Sequence, residues 1–317
     1  MKKILLLDPS ISNVNIGDEI IADGVKKGLK HITEGNFVVK VSTHLPMSLM
    51  YQRCIGTPDY KFVCGSNLIM GKLNKLFKQW HITYKDIPFL KGTILCGVGW
   101  NKYGNEPNLY TKILYRSILS KKYLHSVRDE YTKEMLNKVG IDNVINTACP
   151  TLWSLTPDFC KTIPTTKAKK VVFTLTDYGV DLEKDKQLID ILLNNYEEVY
   201  YWGQGVGDFE YIHQISNNKD IKIINPTLEE YDEFLKNNEV DYIGTRLHGG
   251  IRAMQFRRRS IILSIDNRAK EMGRDFHINV VDRNELDKLE ETINGEVVTK
   301  LNLPWENIEK WKSQFKA

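Results

Sequence analysis

No stretch of the 317 residues approaches the ~20 consecutive apolar residues that a bilayer-crossing helix needs. The opening Met1-Lys2-Lys3 leads into only four apolar residues, Ile4 to Leu7, before Asp8, so it reads as a first buried strand and not as a secretory leader. Cysteine is sparse. Cys54, Cys64, Cys96, Cys149 and Cys160 are scattered, odd in number and without C-x-x-C spacing, which argues against a disulfide framework or a zinc site and makes a reducing cytoplasm the expected compartment. The chain also lacks G-x-x-x-x-G-K-[ST], H-E-x-x-H, G-x-S-x-G, a metal-spaced pair of histidines and any D-x-D. No metal is therefore expected, and anion chemistry through arginine, lysine and histidine fits better. Strong charge of one sign is missing too. A net charge of +4 is too mild to imply nucleic acid, but suits an anionic small substrate and leaves open peripheral contact with the anionic inner face of a membrane. The Arg257-Arg258-Arg259 run reads as a solvated loop.

What remains is an ordinary globular composition, 42% hydrophobic and 26% charged, in a chain long enough for two domains. Short apolar runs alternate with amphipathic segments, the pattern of parallel sheets covered on both faces by helices. Strands are expected at Ile4–Asp8, Phe37–Ser42, Phe62–Cys64, Thr93–Cys96, Leu124–Val127 and Val144–Thr147, with helices over Ile16–Ile32 behind an Asn15 cap and over Glu130–Val139 between Asp129 and Gly140. From Thr156 to Lys170 prolines, threonines and lysines replace the periodic pattern, as in a linker. The alternation then resumes: strands at Val171–Thr176, Val199–Trp202, Ile221–Ile224, Asp241–Gly244, Ile261–Ile265 and Ile278–Val281, helices at Glu183–Asn195, Leu228–Asn237, Gly249–Phe256 and Glu285–Ile293. The expected architecture is α/β and doubly wound: a Rossmann-like domain over 1–158, a second over 159–300, and a terminal helix in 301–317 packing across both, with Pro304 at its first position.

Ligands in such sheets bind beyond the carboxyl ends of the strands. The most informative strand end is Thr245-Arg246-Leu247-His248-Gly249-Gly250, where a cation, an imidazole and two glycines meet the start of a helix. Helix-start N–H groups favour anions, arginine offers a planar fork for phosphate or carboxylate, and histidine moves a proton near neutral pH. A satisfied arginine and histidine at a strand end is the plain alternative. Ser264-Ile265-Asp266-Asn267-Arg268-Ala269-Lys270 adds two cations after the following strand, and Ser126-Val127-Arg128-Asp129 places another arginine at a strand end in the first half. Asn13 to Glu19 follows the first strand; Asn15, Gly17 and Asp18 there suit a sugar hydroxyl or a phosphate, or simply cap the helix. Small-residue turns at Cys64-Gly65-Ser66-Asn67 and Gly97-Val98-Gly99 permit close approach of a ligand. Gly203-Gln204-Gly205-Val206-Gly207 lacks the spacing of a dinucleotide fingerprint and reads as a loop at the cleft edge, so no nicotinamide cofactor is expected.

In order along the chain, Asn15-Ile16-Gly17-Asp18-Glu19, the turn at Gly65–Asn67, Ser126-Val127-Arg128-Asp129, Cys149-Pro150 and Gly244-Thr245-Arg246-Leu247-His248-Gly249 resemble the polysaccharide pyruvyl transferase family. The resemblance implies a GT-B-like fold, two Rossmann-like domains facing a cleft. It also implies transfer of a pyruvyl group from phosphoenolpyruvate to sugar hydroxyls of a cell-envelope glycan, an exopolysaccharide or a lipid-linked precursor, forming a ketal and releasing phosphate. No cofactor is required; phosphoenolpyruvate is the donor substrate. Arg128, Arg246, Leu247 and His248 would then serve the donor, with Arg268 or Lys270 as a further cation. His248 is the expected proton donor and Asp18 the expected base, while Asn15, Gly17, Asp18, Ser66 and Asn67 would face the acceptor. The family turn is more glycine-rich than Gly65-Ser66-Asn67. Two other readings stay open: a metal-independent GT-B glycosyltransferase using a nucleotide sugar, and a catalytically silent binding protein.

Overall fold

The computed structural model describes residues 1–216, 220–265 and 267–315, without the side chains of residues 267 and 268. The chain divides into two units. The first comprises 1–13, 21–153 and 303–317, the second 14–20 and 154–302.

The first unit is a parallel sheet in the order β2-β1-β3-β4, formed by β1 (Lys3–Asp8), β2 (Phe37–Ser42), β3 (Tyr60–Cys64) and β4 (Ile94–Cys96). A further parallel pair, β5 (His125–Val127) and β6 (Val144–Asn146), is joined to it by the bridge Val98↔Val127. Leu5, Leu7, Val63, Leu95 and Val127 lie in its core, which explains the near-continuous apolar runs of these strands: both sheet faces are covered. Because β1 pairs with β2 on one side and β3 on the other, the strand order reverses between β1 and β3.

The second unit holds a six-stranded parallel sheet, β12-β11-β10-β7-β8-β9, from β7 (Lys170–Thr174), β8 (Glu198–Tyr201), β9 (Lys222–Ile223), β10 (Val240–Gly244), β11 (Ser260–Ser264) and β12 (Val280–Asp282). Here the order reverses between β7 and β10. Such a reversal leaves a crevice at the strand carboxyl ends, where doubly wound sheets take ligands. The carboxyl ends of β7 and β10 carry Thr174 to Asp177 and Thr245-Arg246.

Caps set the helix starts as expected. Asp129 Oδ1 accepts from Thr132 N at 2.7 Å, and Gly140 ends the same helix in the left-handed region at φ 89°. Several expectations need correction. The helix over Ile16–Ile32 is two helices, Ile16–Gly28 and Lys30–Thr33, because Leu29 leaves helical geometry. Helices at Leu109–Ile118, Val206–Ile215 and Asn267–Phe276 are additional to those expected. The Thr156–Lys170 stretch is not a bare linker: it holds a short helix, Pro157–Cys160, and Val297 N donates to Thr165 O. The arginine run is solvated only in part: Arg257 is exposed and Arg258 half-buried. Arg259 is fully buried and donates through Nε and Nη2 to Asp241 Oδ2 at 3.1 and 2.6 Å.

The terminal helix, Trp305–Ser313, has Pro304 as its N-cap and groups with the first unit. Trp311 Nε1 donates to Leu124 O at 2.8 Å, Asn307 Nδ2 donates to Asn146 O at 2.9 Å, and Phe315 packs edge-on against Tyr60 and Phe62. It thus covers the apolar flank of β3, β5 and β6.

Candidate active site

Arg246 ends the extended chain after β10, and the helix Leu247–Gln255 starts immediately beyond it. A closed ring of three hydrogen bonds fixes this turn: Arg246 N donates to Thr174 Oγ1 at 3.2 Å, Thr174 Oγ1 to the Tyr242 hydroxyl at 2.6 Å, and that hydroxyl to Arg246 O at 2.6 Å. One helical turn on, the Tyr231 hydroxyl donates to Gly249 O at 3.1 Å, with Trp202 stacked flat on the Tyr231 ring at 3.8 Å. Burial pushes the Tyr242 phenol up, so it stays a neutral donor. The first N–H groups of this helix, at Leu247, His248 and Gly249, precede its first internal bond and leave a positive end. Leu247 and His248 are buried there, each 8% exposed.

The Arg246 side chain is not a free cation. Its Nε donates to Asp208 Oδ2 at 3.0 Å, its Nη2 to Asp208 Oδ1 and to Asp177 Oδ1, the latter at 3.2 Å, and the Tyr178 ring lies 5.0 Å from the guanidinium carbon. Asp208 is wholly buried and also accepts from the backbone N–H groups of Asp177, Gln204 and Gly205 at 3.0 to 3.1 Å. Burial pushes the Asp208 carboxyl up from its ordinary value, with Arg246 pulling the other way. Burial also works against the Arg246 charge, but Asp208 outweighs it and holds the guanidinium above its ordinary value. Nη1 of Arg246 makes no hydrogen bond among the described residues. The two N–H groups of Nη1 are thus held in fixed orientation, each able to donate a single hydrogen bond to an anion.

Asp208 lies in the first turn of the Val206–Ile215 helix, where a loop is expected from Gly203 to Gly207. Gly205-x-x-Asp208 is the spacing of a capping box: the carboxylate reaches back to the Gly205 N–H. That spacing is the signal by which sequence reading would have found Asp208. Asp177, Tyr178 and Gln204 carry no such mark.

The Asn15–Asp18 turn belongs to this second unit. Ile16 N donates to Gln204 O at 2.9 Å. Asn15 caps the helix through Oδ1, which accepts from Gly17 N at 3.1 Å, and its Nδ2 donates to Asp18 Oδ2 at 3.2 Å. Gln204 is 2% exposed and lies between two helix starts: a Cβ on Gly17 would be 2.9 Å from its Oε1, and one on Gly249 2.5 Å from its Nε2. A side chain at either position would displace the Gln204 amide. Among the described residues, Gln204 Nε2, Trp202 Nε1 and Ser264 Oγ are buried and lack hydrogen-bond partners. All three follow or end strands β8 and β11 at the carboxyl edge of the sheet, where water or a ligand would satisfy them.

Lys270 pairs with Asp282 at 2.6 Å and is half exposed; its contact is with the end of β12 rather than with the Arg246 cluster. The Arg268 side chain and Asp266 lie outside the described residues.

In the first unit, Arg128 stands at the end of β5, 3% exposed, with Nη2 donating to Asn67 Oδ1 and Nε to Asp129 Oδ2 at 3.3 Å. Gly65 and Ser66 are both in the left-handed region (φ 68° and 61°), which for Ser66 is a strained conformation, and Gly99 N donates to Ser66 O at 2.8 Å. The expected residues Arg128 and Asn67 are therefore in direct contact, with Ser66 beside them. His125, on the same strand, is structural. Its Nδ1 accepts from Leu95 N and its Nε2 lies 2.9 Å from Ser120 O, which fixes the tautomer with the proton on Nε2. Burial pushes its pKa down to about 4. Cys149 is buried with its thiol pushed up by burial, so it is no nucleophile.

The family described as polysaccharide pyruvyl transferase matches residues 15–267. No curated protein matches the sequence. Among solved structures, UDP-GlcNAc 2-epimerase from Methanocaldococcus jannaschii, in complex with UDP-GlcNAc and UDP, is similar with a TM-score of 0.53 and 15% identity, over 98% of this chain and 97% of that one. A second structure of that epimerase gives 0.53 and 15% over 96% and 94%. At this identity the likeness concerns the fold, which is GT-B-like with two Rossmann-like units, as the family resemblance implies.

Proposed function

This chain belongs to the polysaccharide pyruvyl transferase family, and from that premise we propose that it transfers the pyruvyl group of phosphoenolpyruvate to two hydroxyls of a cell-envelope sugar or its lipid-linked precursor. The observation that carries this reading is the Arg246-Leu247-His248 turn, held rigid at a helix N-terminus in the reversal of the second sheet. Phosphoenolpyruvate bears a phosphate and a carboxylate. The Nη1 edge of Arg246 and the N–H groups of the helix start match one such group.

In this reading His248 delivers a proton to the methylene carbon, which leaves a cationic centre at C2. A sugar hydroxyl adds there and its proton is taken up, with Asp18 as the proposed base. Phosphate then leaves, and the second hydroxyl closes the ketal as its proton passes to the departing phosphate. The methyl group of the product keeps the proton from His248. No metal or cofactor enters this sequence.

Thermal stabilisation of the purified protein by phosphoenolpyruvate, and phosphate release on adding a sugar acceptor, test the reading. His248→Asn retains the stabilisation and loses phosphate release. Stabilisation by nucleotide sugars with none by phosphoenolpyruvate would replace it with the glycosyltransferase reading, which the UDP-bound structural relative keeps in view.

A further inference from the structure

Between Leu73 and Trp80 the first unit sends out a loop that is fastened at both ends. Leu73 is fully buried and its N–H donates to Thr111 Oγ1 at 2.9 Å; Trp80 is 2% exposed and stacks on Tyr115. Lys78 staples the loop from within, its Nζ donating to Leu73 O at 3.2 Å and Ile82 O at 2.9 Å, and Asn108 Nδ2 donates to Asn74 Oδ1 at 2.8 Å. The tip between these anchors is Leu76-Phe77, 83% and 85% exposed. Single exposed apolar residues are common, but two large adjacent ones at the apex of an anchored loop are held out of the core by the fold itself.

Charge around the tip has one sign. From 72 to 102 the sequence holds six lysines and one carboxylate, Asp86, which is buried and accepts from Gln52 and Thr83. Lys72, Lys75 and Lys102 are exposed, and Lys75, Lys78, His81, Lys102 and Tyr103 help to line a cavity of about 840 Å³ beside the tip. The nearby Glu106 is taken by Lys138 at 2.8 Å. An apolar apex ringed by lysines is complementary to a surface with negative headgroups above hydrocarbon.

We propose that this loop docks the protein on an anionic lipid bilayer, with Leu76 and Phe77 entering the interfacial layer and Lys72, Lys75 and Lys102 meeting lipid phosphates. The proposal goes beyond the transfer reaction. Its readout is membrane partition, so its failure leaves the reading of the transfer site untouched. The test is sedimentation of the full chain with vesicles of phosphatidylcholine alone, or with about one third phosphatidylglycerol. The protein binds the anionic vesicles and not the neutral ones. Leu76→Asp/Phe77→Asp and Lys75→Glu/Lys102→Glu each weaken partition by about tenfold or more, whereas Val298→Asp, an exposed apolar position of the second unit, changes nothing. Unchanged partition of the Leu76→Asp/Phe77→Asp variant, or no partition of the unaltered chain, overturns the proposal. So does a dimer in solution that this variant converts to monomer, because the tip then pairs with a second copy.

Discussion

Arg246 and Asp208, 38 residues apart, form a buried pair in which Nε and Nη2 of the guanidinium span both carboxylate oxygens. The pair makes Arg246 both a structural residue and the proposed anion ligand, and the two roles separate by experiment. Arg246→Ala strands the Asp208 charge in the interior and costs about 3–5 kcal/mol in urea unfolding. Adding Asp208→Asn removes that charge and recovers much of the stability. Affinity for phosphoenolpyruvate, followed by calorimetry on folded protein, stays about 10–100-fold down in the double variant. Full recovery of affinity would mean that Arg246 serves the fold alone.

Gly249 is expected to accept a methyl group only at the expense of the Gln204 amide. Gly249→Ala brings its Cβ to 2.5 Å from Gln204 Nε2 and destabilises the protein by about 1–3 kcal/mol. In a Gln204→Ala background the added cost of Gly249→Ala shrinks by at least half. Additive losses would show that the alanine meets some other obstacle.

His125 makes the fold acid-sensitive. It is neutral in the folded state down to about pH 4, whereas the unfolded chain takes up the proton near 6.5. Between those values the unfolded state binds more protons, so stability falls as the pH drops from 6.5 toward 4, by ~3 kcal/mol from this residue. Urea melts across that range measure the loss, and the His125 ring signal in NMR shows no titration at pH 5. A ring that titrates near 6.5 in the folded protein would refute the assignment.

Arg259 provides the contrast to Arg246. Its guanidinium is buried on Asp241, Gly295 O and Ile293 O. Arg259→Met is expected to lower the urea midpoint by an amount equivalent to about 3–5 kcal/mol while the folded fraction keeps its turnover. A loss of turnover greater than the loss of folded protein would bring Arg259 into the active site.

The strands were legible because both faces of each sheet are covered, so Leu5 to Leu7 or Ile261 to Leu263 read as uninterrupted apolar runs. The Arg246 turn was legible for a related reason: a strand end and a helix start adjoin in sequence. What escaped depends on residues far apart in the chain. The Val206–Ile215 helix is masked by Gly203, Gly205 and Gly207, and is stabilised by an aspartate whose partner arrives 38 residues later. That Asn15 to Asp18 would group with the second unit is likewise invisible in a helix whose pattern continues unbroken into the first. Of Arg257 to Arg259, Arg259 departs from a solvated loop because Asp241 lies on the neighbouring strand, and pairing across a sheet leaves no periodic trace.

The Asp208 carboxylate has one more effect, on how an anion reaches Arg246. With Asp208 and Asp177 both against the guanidinium, the turn offers little net positive field at a Debye length of about 8 Å in physiological salt. Capture there is governed by short-range fit rather than by attraction from afar, so the association rate of a small anion should vary little with ionic strength. Inorganic phosphate and other loose polyanions are then not concentrated at the site merely because they are charged.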